Sequence, residues 1–173
     1  MSDQLKKLTF KYWCNIFNED ELHIWMNFEM ENNPSPHLDM YDLNANEPYE
    51  VAKILLKIAK DRYGFSPNSR EGVEISKDII VEVGENYLKR VGPLTDLCNL
   101  LGTLGSTDLS RNEQLLYLGK SDPKEILWKL YWEVHDDYNP TNVWSLENDS
   151  ETRMQFEIVL SNFKKEKSLK SPT

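Results

Sequence analysis

An α+β domain is the fold this sequence predicts, with a mainly α fold as the alternative, and three observations lead there. Residues 8–16 and 22–31 alternate apolar and polar side chains with the period of a strand. Most later segments repeat their apolar residues with the period of a helix, and a loop with two prolines separates the two kinds. At 173 residues the chain has the size of one ordinary domain, long enough to bury a core without staples.

The first predicted element is an antiparallel β-hairpin over residues 8–31. Leu8, Phe10, Tyr12, Cys14 and Ile16 alternate with Thr9, Lys11, Trp13 and Asn15. Leu22, Ile24, Met26, Phe28 and Met30 then alternate with His23, Trp25, Asn27, Glu29 and Glu31. Asn18, Glu19 and Asp20 supply the turn, although the spacing from Asn18 to Glu21 also fits a capping box that opens a helix. Wound as a helix, this second segment would carry Glu21 and Glu29 inside its apolar arc, and that favours the strand.

Asn32-Asn33-Pro34-Ser35-Pro36 forms the loop, and five to six helices follow it. Asn46 and Pro48 open one whose stripe is Val51, Ile54, Leu55 and Ile58, ending near Gly64. Residues 70–91 fit a longer helix through Val73, Ser76, Ile80, Val83 and Tyr87, closed by Gly92 and Pro93, although 73–83 also alternate like a strand. A short apolar helix covers 94–101 and ends before Gly102 and Gly105. Capping signals at Ser110 and at Asp122-Pro123 open two more, a loop spans 139–149, and a last helix from Glu151 carries Met154, Phe156, Val159, Leu160 and Phe163. The globular domain is expected over 1–163, with a basic, disordered tail over 164–173.

Charge is distributed unevenly. The formal net charge is −9, from 29 acids and 20 bases. Tyr12 to Ala52 holds nine acids (Glu19, Asp20, Glu21, Glu29, Glu31, Asp39, Asp42, Glu47, Glu50) and no Lys or Arg; Leu130 to Thr152 holds six more acids and again no base. This acidity disfavours direct nucleic-acid binding, which draws on Lys and Arg against phosphates. The N-terminus lacks an apolar signal core and no apolar run approaches the roughly 18 residues of a spanning helix, so a cytoplasmic location without membrane contact is expected. Cys14 and Cys98 have neither zinc nor disulfide-framework spacing, and reduced thiols are expected.

The candidate partner-binding residues are Glu19, Asp20, Glu21, His23, Trp25, Glu29, Glu31, Asp39, Asp42, Glu133, Asp136 and Asp137. The last three lie at a helix C-terminus, where carboxylates oppose the macrodipole; either a cationic partner uses them or that helix end is simply solvated. Trp13 and Trp25 fall on the polar side of the hairpin, so each is either covered within the domain or left as an interface anchor. His37, Asp39 and Asp42 are weak metal or proton-transfer candidates, against the plain reading of a polar loop. No nucleophile-elbow, phosphate-loop, dinucleotide-binding or zinc-protease motif is present, no catalytic residue is assigned and no cofactor is implied.

Two functions from different classes follow. The first is an inhibitor or immunity-type protein whose acidic surface and aromatic anchors neutralise a basic protein such as a nuclease toxin. In size and acidity the chain is similar to proteins that answer the basic cleft of a nucleic-acid-cleaving toxin, although no stretch carries a family motif. The alternative is a small metal-dependent hydrolase with a composite site drawn from His23, His37, Asp39, Asp42 and His135, which requires those side chains to meet in one pocket.

Overall fold

Asn18 decides the N-terminal fold. In the computed structural model, which describes residues 2–45, 47–89, 91–106 and 150–170, its side chain accepts a hydrogen bond from the Glu21 backbone N–H at 3.1 Å and starts a helix, where the alternation predicts a strand. The predicted β-hairpin is therefore absent. Among the described residues there is no strand, and the fold is mainly α.

The element order is α1 (Ser2–Trp13), α2 (Glu19–Asn32), a 3₁₀ segment (Leu38–Ala45), α3 (Pro48–Tyr63), α4 (Arg70–Leu88), α5 (Leu94–Ser106) and α6 (Ser150–Lys170). By its contacts the chain divides into two compact units, Met1–Ile75 and Ser76–Thr173.

In the first unit α1 ends on a Schellman-type closure. The N–H of Ile16 bonds the carbonyl of Lys11 at 2.9 Å and the N–H of Asn15 that of Tyr12 at 3.1 Å, with Asn15 itself left-handed at φ 60°. This reversal occupies the place of the second half of the first predicted strand. α1 packs along α3 and against α2, and it buries Leu5, Leu8, Phe10 and Tyr12. Because α1 buries residues all round, its apolar side chains at every second position all find cover, and so a helix can imitate a strand in sequence.

On α2 the same alternation is divided between two faces. Leu22, Trp25, Met26 and Glu29 point inward at helical spacing, while Ile24, Phe28 and Met30 are exposed. Glu21 and Glu29, the two acids that argued against a helix, are accommodated by cations from neighbouring helices: Lys11 of α1 holds Glu21 at 2.9 and 3.0 Å, and Arg62 of α3 holds Glu29.

α3 follows its predicted stripe, with Val51, Leu55 and Ile58 in the core and Lys53, Lys57 and Lys60 exposed. It closes on Gly64, whose φ of 62° suits a residue without Cβ. The predicted cap Asn46 lies outside the described residues. Ser69 opens α4, its hydroxyl accepting from the Gly72 N–H at 3.1 Å, and the alternating run 73–83 is helical.

In the second unit α4 supplies Ile79, Ile80 and Val83, α5 supplies Leu97, Leu100, Leu101 and Leu104, and α6 supplies Phe156, Val159, Leu160 and Phe163 to buried positions. α5 runs past Gly102 and Gly105, and α6 continues to Lys170 through part of the basic C-terminal run. Gly84 lets α4 and α6 approach closely: a Cβ there would lie 2.7 Å from the Phe156 ring and 3.0 Å from Leu160. Among the described residues no helix is long and apolar enough to cross a membrane.

Candidate functional site

The base-free stretch becomes a helix whose acids are presented unevenly. Glu19, Asp20 and Glu21 lie in the first turn of α2, where negative charge is favoured by the helix dipole. Glu19, Asp20 and Glu31 are exposed and make no ion pair with any described residue, and Glu47, ahead of α3, is likewise exposed. Asp42 is exposed on the 3₁₀ segment, and Glu50 is held by Lys53 at 2.6 Å.

Three cations of this unit are covered, while Lys53, Lys57, Lys60 and Arg70 are exposed. Lys11 is buried against Glu21, Lys6 is buried at 2.6 Å from Glu71 with its ammonium 5.5 Å from the centre of the Tyr63 ring, and the Arg62 side chain is mostly covered.

Two sequence candidates are internal. Trp25 is 1 % exposed and Glu29 is 1 % exposed, so neither is displayed to a partner. Glu29 accepts from the Asn33 side-chain amide at 2.6 Å and from Arg62, whose guanidinium also reaches the Ser35 carbonyl at 3.3 Å. That ion pair ties α2 to α3 and to the loop after α2, a structural use of an acid on the inner face of α2.

Between the α1–α2 turn, the 3₁₀ segment and the start of α3 lies a hollow of about 170 Å³. Its floor is buried side chains, Tyr12, Leu22, Leu43 and Val51, and its mouth carries Phe17, Glu19, His23 and Pro48. Phe17 stands between two aromatic neighbours, with ring centres 5.3 Å from Tyr12 and 5.9 Å, edge to face, from Tyr49. Burial raises the Tyr12 pKa above its ordinary value, and the nearby Glu19 charge adds to the rise against a hydrogen bond with the Asn18 backbone. No Lys or Arg lines this hollow.

The His37 loop forms a separate polar group. The Asp39 N–H donates to His37 Nδ1 at 3.3 Å, His37 Nε2 lies 3.4 Å from Asp61, and Lys57 Nζ lies 2.5 Å from Asp39 Oδ2. The hydrogen bond and charge of Lys57 hold the Asp39 carboxyl below the usual range, and Asp39 in turn raises the Lys57 pKa. An ammonium in this position neutralises the carboxylate that a metal would need. Among the described residues no group of three or more His, Cys, Asp or Glu is placed to hold a metal ion.

A composite hydrolytic site requires His23, His37, Asp39 and Asp42 to share a pocket. Of these, only His23 lines the hollow. Glu133, His135, Asp136 and Asp137 lie outside the described residues. The hollow itself is invisible in sequence, since its walls come from three separated segments; Phe17 beside the acids of 19–21 is its only local trace. Comparison with protein-family models, with curated proteins and with solved structures gives no match for this chain.

Proposed function

We propose that this chain is a cytoplasmic partner-binding protein that neutralises a basic protein, such as a nuclease toxin, through the acidic surface around α2. The supporting observation is the arrangement on that helix: Glu19, Asp20 and Glu31 face solvent without a described counterion, while Lys6, Lys11 and Arg62 are paired with Glu71, Glu21 and Glu29. Exposed Ile24, Phe28 and Met30 lie among these acids and offer apolar area that would be desolvated on contact. Charge of one sign would speed encounter with a cationic surface, and the apolar contacts would slow release.

The test is capture from native lysate at low salt, elution in a salt gradient and repetition with Asp20→Lys combined with Glu31→Lys. The reading expects one stoichiometric basic protein that is released by salt, lost with the double variant and, if a nuclease, inhibited at equal molar ratio. Retention indifferent to charge reversal, or no retained basic protein, would overturn it.

A further inference from the structure

We infer that the hollow beside α2 receives one arginine side chain of that basic partner. The inference rests on the proposed function and adds the anchor to it. Its volume, about 170 Å³, is below the roughly 300 Å³ at which pockets for drug-sized ligands begin, so it suits a single side chain rather than a cofactor. Phe17 at the mouth supplies a ring surface on which a planar guanidinium stacks, and Tyr12, Leu22, Leu43 and Val51 form the floor for the methylenes behind it. Glu19 at the mouth accepts its N–H groups.

The opposing term is the dipole of two helices. α2 and α3 both begin at the hollow, and each N-terminus carries about half a positive charge, which favours an anion. Against about one positive charge stand Glu19, Asp20 and Glu47, none of them paired with a described base. Asn18 also occupies one of the free N–H groups of α2 that an anion would use. The balance is negative, and a cation is the guest it selects.

The experiment titrates the ¹⁵N-labelled full chain with a blocked Gly-Arg-Gly peptide, with the same peptide carrying citrulline, the neutral isostere, and with its lysine counterpart. Amide shifts centred on Tyr12, Phe17, Glu19, Leu22 and His23 are expected. The citrulline peptide and the Glu19→Gln variant should each bind at least roughly fivefold more weakly than the arginine peptide on the wild-type chain. Circular dichroism of Glu19→Gln should match wild type, since Glu19 is exposed. Equal binding of arginine and citrulline, equal binding of lysine, or shifts confined to the outer face of α2 would each overturn the assignment. A captured basic partner whose affinity ignores Glu19→Gln and Phe17→Ala would remove the hollow and leave the acidic-surface reading intact; arginine selectivity at the hollow with no captured partner would do the reverse.

Discussion

Arg62 on α3 closes over the buried carboxylate of Glu29 on α2, and this pair, made across 33 positions of chain, allows an acid to sit on the inner face of a helix. Removing one partner of a buried pair leaves an uncompensated charge, at a cost of about 3–5 kcal/mol. Arg62→Ala is expected to lower the unfolding free energy measured by urea denaturation by that order, while Arg62→Met with Glu29→Leu recovers most of the loss. A cost for Arg62→Ala below about 1 kcal/mol, the range of exposed pairs, would show that Glu29 is solvated.

Tyr12 should titrate above the ordinary tyrosine value of 10.0 because burial disfavours its phenolate and Glu19 repels it. The unfolded chain then ionises first. The stability that Tyr12 contributes is complete below pH about 10 and is lost as pH rises through its folded value. Phenolate absorbance of wild type minus Tyr12→Phe isolates this residue, and Glu19→Gln should move its midpoint downward. An unmoved midpoint would place Glu19 away from the phenol.

Asn15 holds the left-handed position that ends α1. Asn15→Val should destabilise by about 1–2 kcal/mol, the cost of the left-handed region for a side chain branched at Cβ, whereas Asn15→Gly should stay close to wild type. Thermal unfolding of both variants checks the ranking, and a tolerated valine would rule out the closure described at the end of α1.

Gly84→Ala would push a methyl against the Phe156 ring, and overpacking of this kind costs about 1–3 kcal/mol. The same change should cost less in a Phe156→Leu background. Equal costs in both backgrounds would separate α4 from α6 at this point.

Where a helix buries one stripe, as α3 does with Val51, Leu55 and Ile58, its period is legible in sequence and Gly64 marks its end. α1 and α2 mislead for opposite reasons. α1 is covered on nearly every side, and α2 leaves Ile24, Phe28 and Met30 exposed, so apolar residues at even positions imitate a strand in both. The capping signal from Asn18 to Glu21 was the more informative local feature. The acidic character of α2 could be read directly, but the separation of displayed acids from buried ones depended on Lys11 and Arg62, and no local pattern names such distant partners. The hollow is likewise a product of tertiary contact.

Cys14, at the corner where α1 gives way to α2, is a thiol outside any disulfide and has no exposed surface. A disulfide reagent in solution reaches its sulfur only when that corner opens, so in a Cys98→Ser background the labelling rate becomes a clock for local opening next to the hollow. A guest seated against Tyr12 and Phe17 binds the closed form and must slow that clock in proportion to its occupancy. If the hollow takes the proposed guest, this cysteine would be a built-in reporter of its occupancy.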